Sequence, residues 1–309
     1  MLSRRRVVAA KIEGVEGTAE AITVAEAGIL AMNVKHDFDI KVTERAIQLN
    51  TMSNLAPVIG AQSGKLSFRA ELKGNGLASY AVTPPSLAVY LKACGFAETL
   101  SAPSAIYKPA SSGIPSITLW VYEDGLAKKL KGVRGNVKFS GKVGEPCYAD
   151  FDFTGVWDGV ADVAMISPTF EGTVPPALLN SAFTIDAYAG VMTTFSIDMA
   201  NQISLRESVN TTSGYVSALI TGRNPAGTVD PEMTLVAGYD WFGKWKAGAT
   251  AAFNLGPVGG TAYNKFAITA PKAVYKKVGE GDRAGNITAD VNFALAMNTG
   301  DDELVLTFT

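Results

Sequence analysis

The chain has one histidine, His36, and two cysteines, Cys94 and Cys147. A single imidazole excludes a two-histidine metal centre and leaves any Ser-His-Asp or Cys-His arrangement hanging on one side chain. Two thiols without CxxC spacing exclude a disulfide framework and a thiolate zinc site, and read as reduced thiols. His36, flanked by Lys35 and Asp37 in an alternating stretch, reads as a surface or hydrogen-bonded side chain rather than a catalytic base. No stretch approaches the roughly 18 consecutive apolar residues of a membrane span. The apolar part of the N-terminus, Val7 to Ala10, is too short for a signal-peptide core. The expectation is a soluble protein made in the cytoplasm. Charge is sparse as well, at 18% with a net charge of −2 against 47% apolar residues. That describes either a compact monomer with a large core or a subunit with surface to bury against its neighbours.

Concentrated chemistry is missing too. The glycine-rich strings at 14–17 and 256–260 are followed by no Lys-Ser/Thr and framed by no crossover, so neither is a phosphate cradle. Asp150 with Asp152, and Asp301 with Asp302 and Glu303, would suit a divalent cation, but alternating carboxylates on a strand are more often a solvated face. No cofactor and no metal is implied, and a hydrolase built on these carboxylates is the weakest reading. Arg4-Arg5-Arg6 would suit nucleic acid, or a terminal arm in solvent or on another subunit.

What is present is a repeat. Ala27-Gly28-Ile29-Leu30 answers to Ala189-Gly190-Val191-Met192, Arg45 to Arg206, and Gly60 to Gly222. The offset is about 162 (189 − 27 and 222 − 60), close to half of the 309 residues. The expected fold class is mainly β, with two tandem related β-sandwich or barrel domains, each with a short helix and a long loop. The divisions are an N-terminal arm over 1–20, a first β domain over 21–160, a linker over 161–180 and a second β domain over 181–309. Period-two alternation predicts strands in 22–42, 64–72, 116–122, 135–140, 147–153, 183–188 and 303–308. The Thr83-Pro84-Pro85-Ser86 start and the Gly95 stop predict a helix between them, and 239–253 holds its rough counterpart. Residues 43–64 and 211–231 read as the two long loops.

Several strings carry a resemblance: RRRVVAAKIEGVEGTAE at the start, the Arg45 segment, Gly60 with 66–74, LKACGF, AIYKP, 116–125 and LKGVRGNVKFSGKVGEP. In the second half they are Gly222-Arg223-Asn224-Pro225, Asp230-Pro231-Glu232 and 301–308. With these the chain resembles the tail tube proteins of long, non-contractile-tailed bacteriophages over nearly its whole length. The resemblance implies a virion structural protein, not an enzyme, whose β subunits form closed rings stacked into a tube for genome delivery. It also implies a tape-measure protein and a tail terminator as partners, and transient passage of DNA without specific binding. If each repeat fills one equivalent position, three chains make a pseudo-hexameric ring, with a homohexamer as the alternative. A bore that lets DNA slide should repel phosphates or at least not hold them, so acidic and small polar side chains are expected to face it, with Asp37, Asp39, Glu71 and Asp198 as the lumen-facing candidates. Arg45, Pro57, Gly60, Gly222, Arg223 and Pro225 are the intersubunit loop candidates. The alternative function is a two-domain β-sandwich binding or decoration module of a virion, with Tyr239, Trp241 and Trp245 as a sugar platform or as core.

Overall fold

The computed structural model describes residues 2, 4–77 and 79–309. Alternating stretches become strands, and the chain is mainly β with two short helices. The first half runs β1 (Arg6–Ile12), β2 (Ala31–Thr43), β3 (Val58–Glu71), α1 (Ala88–Ala93), β4 (Phe96–Leu100), β5 (Ala105–Pro109), β6 (Ile117–Glu123), β7 (Leu126–Lys142) and β8 (Tyr148–Asp162). The second runs β9 (Phe183–Ile185), β10 (Thr194–Asp198), β11 (Asn201–Glu207), β12 (Tyr215–Arg223), β13 (Ala226–Val229), α2 (Trp241–Lys246), β14 (Thr250–Val258), β15 (Phe266–Arg283), β16 (Asn286–Ala296) and β17 (Val305–Phe308).

Two groups of strands share one pairing order. The first is β1-β6-β7-β8-β3-β2, and the second is β9-β14-β15-β16-β13-β10. They merge into a 15-stranded sheet because β7 pairs β10 and β5 pairs β17, while β11 and β12 stand apart as a two-stranded sheet. Even an irregularity is shared. In the first group the register steps from Ile40↔Gln62 to Val42↔Ile59 and Thr43↔Val58. In the separate β11–β12 pair, which follows β10 in the chain, it steps from Gln202↔Gly222 to Ile203↔Ile220 and Ser204↔Leu219. The two bulges superpose at an offset of 161 (203 − 42 and 220 − 59), which equates Arg206 with Arg45 but Gly222 with Ala61, one residue away from Gly60.

Where the elements differ from expectation, the reasons are local. The first long loop shrinks to 44–57, because β2 and β3 extend past the core as a hairpin that includes Gly60. Most of 211–231 is strand, β12 and β13, its alternation masked by the bulge and by small residues. β1 lies within the stretch read as an arm, and Val7 to Ala10 are buried in it. A strand covered on both faces is a continuous apolar run without alternation. The helix after Pro85 is only six residues long and stops before Gly95, whose φ of +85° reverses the chain. Of 239–253 only α2 is helical, and β14 follows at once. Arg5 pairs with Asp124 and Arg6 with Glu123 (2.5 and 2.6 Å), so both side chains hold β1 to the turn after β6.

One continuous set of buried residues runs through both groups. Phe68 meets Tyr90 of α1 edge-on at 5.2 Å and lies 5.2 Å from Phe151. Phe253 meets Phe293 at 5.6 Å, and Tyr239 lies 4.4 Å from Trp241 and 4.7 Å from Tyr188. Tyr239 and Trp241 are therefore core, and only Trp245 of the three platform candidates is exposed. Residues 163–173 strap onto the first group: Lys73 Nζ donates to the carbonyls of Glu171 and Thr173 (2.9 and 2.8 Å). Both thiols are buried, which pushes Cys147 up to about 12 and raises Cys94 well above its usual value, so neither is a nucleophile at neutral pH.

Phe151→Ala should remove the centre of the aromatic cluster and lower the unfolding free energy by about 3–5 kcal/mol in denaturant titration. His36 lies half-buried 3.6 Å from Glu123, and burial, then Lys128, holds its pKa below the usual value. The unfolded chain therefore takes up the proton first, so stability should fall as pH drops below about 6.5 toward the lowered folded pKa. His36→Gln should flatten that part of a thermal-stability profile, and an unchanged slope would remove His36 as its source.

Candidate functional site

The sheet contains the run β2-β3-β8-β7-β10-β13-β16-β15, which joins the two strand groups. Because side chains alternate across a strand, register decides which residues share a side of this run. One row reads Glu71, Tyr148, Ser140, Ser196, Thr228, Asn292 and Lys277. The adjacent row on the opposite side reads Ala70, Ala149, Phe139, Ile197, Gly227, Phe293 and Tyr275, and it is buried throughout. Each strand thus divides into a dry face and a wet one.

The wet face gathers all four acidic candidates. Asp37 lies opposite Lys65, Asp39 opposite Ser63, Glu71 opposite Tyr148 and Asp198 opposite Lys138. Arg69 donates to Asp150 through Nε and Nη2 (2.7 and 3.0 Å), and its guanidinium lies 5.0 Å from the Tyr148 ring centre. That hydrogen-bonded carboxylate raises the pKa of Arg69. Asp198 accepts from Asn136 Nδ2 and Ala200 N (2.7 and 2.8 Å), while Asp152 is pushed up by burial against the opposing pull of Lys65. The face is therefore charge-balanced rather than uniformly acidic: Arg69, Lys65 and Lys138 each lie directly across from a carboxylate.

The loop candidates divide. Arg45 and Pro57 lie in the exposed 44–57 segment. Gly60 is inside β3, where a Cβ would come within 3.1 Å of the Lys41 carbonyl oxygen. Gly222 and Arg223 end β12, and the Pro225 carbonyl accepts from Leu295 N (2.8 Å). Arg223 is held within the chain by Glu303 (3.2 Å), the Ala110 carbonyl (2.8 Å) and Asp301. That clamp unites β12, the end of β5 and the C-terminal segment, which no sequence spacing announces. Asp301 and Glu303 serve Arg223, and Asp302 caps a turn through the N–H groups of Asn298 and Thr299, which lower it to about 2. Sequence reasoning passed over the apolar hairpin surface: Val42, Ile47, Leu49, Met52, Val58 and Ile59 are all exposed.

Among the described residues no group of His, Cys, Asp and Glu could hold a metal ion. No described helix is long and apolar enough to cross a membrane. No curated protein matches the chain. Along these eight strands the sheet is dry on one side and wet on the other, and the model of the family described as "Phage tail tube protein" matches residues 3–295. The chain belongs to the phage tail tube proteins, non-catalytic structural components of the virion tail.

Proposed function

We propose that three copies of this chain close into one ring of the tail tube, each supplying two related domains and a third of the wall, with the wet face toward the bore. The observation that carries this is the β7–β10 join. In the shared pairing order β7 corresponds to β15 and β10 to β2, and these two are the outermost of the eight strands. β2 pairs only with β3, and beyond Val274 β15 pairs only with β16. Open edges of this length invite pairing. Joining β15 of one copy to β2 of the next repeats the internal join and closes the ring.

Circumference selects the number of copies. Strands lie about 4.8 Å apart, so three times eight strands give a wall roughly 37 Å across at the backbone, before any tilt widens it. Side chains take about 10 Å of that and leave a bore that admits a DNA duplex. Two copies give roughly 24 Å at the backbone, too narrow, and six give roughly 73 Å, far wider than a conduit requires.

Paired charges suit a surface past which DNA slides, since each unpaired cation adds salt-dependent phosphate affinity. Asp37, Asp39, Glu71 and Asp198 serve the bore in this way. Before ejection the bore holds a tape-measure protein, and a tail terminator caps the tube, as tail assembly requires. Native mass spectrometry of a single ring should give three chains, and a six-chain mass would overturn the proposal. Asp150→Asn with Asp198→Asn leaves Arg69 and Lys138 without their carboxylates. Assembled tubes of this variant should retain duplex DNA at low salt and release it as salt rises, and unchanged retention would take the wet face out of the bore.

A further inference from the structure

The second strand group contains a worked example of how a hairpin docks on a neighbouring group. β11 and β12 leave the main sheet and fold onto the first group. Gln62 N donates to the Ser213 carbonyl (2.9 Å), Ser217 Oγ donates to Glu16 (2.5 Å), and Arg134 reaches both Glu16 (2.8 Å) and the Ala218 carbonyl (2.5 Å). Ser217 and Ala218 are fully buried by this. The contact reaches the end of α1, where a Cβ built on Gly95 would lie 3.3 Å from Ile220 Cδ1.

Both halves of this contact have counterparts, and both counterparts stand empty. Ile220 corresponds to Ile59 (220 − 161 = 59) on the outer part of the β2–β3 hairpin, in the same register and past the same bulge. Ile59 is 60% exposed and Val42 beside it 50%. Gly95, which follows α1 at φ +85°, corresponds to Gly248, which follows α2 at φ +61°. A Cβ on Gly248 would meet nothing within 4 Å, and Phe242 and Trp245 on the same short helix are exposed. The chain thus carries a hairpin that meets residues 213 and 214 at Ala61 and Gln62 but leaves Val42 and Ile59 exposed, and an apolar surface around Gly248 that no described residue covers.

We infer that the β2–β3 hairpin of one copy docks on α2 of the adjacent copy in the same ring, with Ile59 against Gly248 as Ile220 lies against Gly95. This rests on the closed-ring reading: once β15 meets β2 of the next copy as β7 meets β10, the hairpin follows its strand onto the neighbour's second group. The occupant is a second copy of this chain, because the internal contact shows how the counterparts of these two surfaces meet. Burial of the exposed hairpin residues would add an apolar contribution that the edge hydrogen bonds alone do not supply.

Ile59→Cys combined with Ala247→Cys tests the contact, leaving the positive-φ Gly248 intact and the two native thiols buried. Assembled tubes, oxidised and run without reductant, should give covalent species that stop at three chains, while either single variant gives none. A ladder continuing beyond three chains would place the hairpin on the next ring and overturn the inference. No cross-link in tubes whose rings still weigh three chains would overturn the docking and leave the ring standing. A ring of any other mass would overturn the ring reading itself. Ile59→Asp should keep the monomer's circular dichroism and melting temperature, because the side chain is already exposed, and should reduce ring yield at least tenfold. Undiminished ring formation would also count against the docking.

Discussion

Pairing of strand edges is the constraint on which this structure depends. Along the eight strands from β2 to β15 the backbone is satisfied by pairing except on the outer side of β2 and on the part of β15 beyond Val274, whose earlier residues pair β14 and β17. Inside the chain the same situation arises once and is resolved by β7 meeting β10, from Thr194↔Lys142 to Asp198↔Lys138. That short junction carries the wet row and the dry row from one strand group to the next without a break. It unites two groups with the same pairing order into one wall segment and makes the edges at the far ends equivalent to those already joined.

The two faces then divide the work. On the dry face, Phe68, Phe151 and Phe153 with Tyr90, and Phe253 with Phe293, fix the sheet to the layer behind it. On the wet face, the forked Arg69–Asp150 pair and the cross-strand neighbours Asp37 with Lys65 and Asp198 with Lys138 keep cations beside carboxylates. A conduit has to be rigid and at the same time must not grip what passes through it. In the proposed ring, rigidity comes from the buried side, and the absence of grip from cations that lie across from carboxylates on the wet face.

Much of this was legible in the sequence, for identifiable reasons. β3 and β8 alternate cleanly because one side is core and the other water, so Leu66, Phe68 and Ala70 declared their face in advance. The repeat could be read to within one residue, because Arg45 and Arg206 keep their spacing even where the chain around them has diverged. β1 could not be read, since burial on both faces erases alternation. Nor could β12, where the bulge shifts the period and where Ser217 and Ala218 are buried by a group distant in sequence. That the four acidic candidates share one face follows from register across strands far apart in the chain, and single-strand periodicity carries no such information. The Arg223 clamp on Asp301 and Glu303 is likewise a product of tertiary folding.

How one chain meets the next decides whether these edges close into a ring. A cryo-electron-microscopy map of the assembled tube, at a resolution that separates strands, tests it directly. It should show threefold rings with a continuous 24-strand wall, three times eight, in which Asp37 of one copy lies opposite Gly279 of its neighbour, as Asp198 lies opposite Lys138 within the chain. A ring of six chains, or a wall in which β2 and β15 remain unpaired, would contradict it.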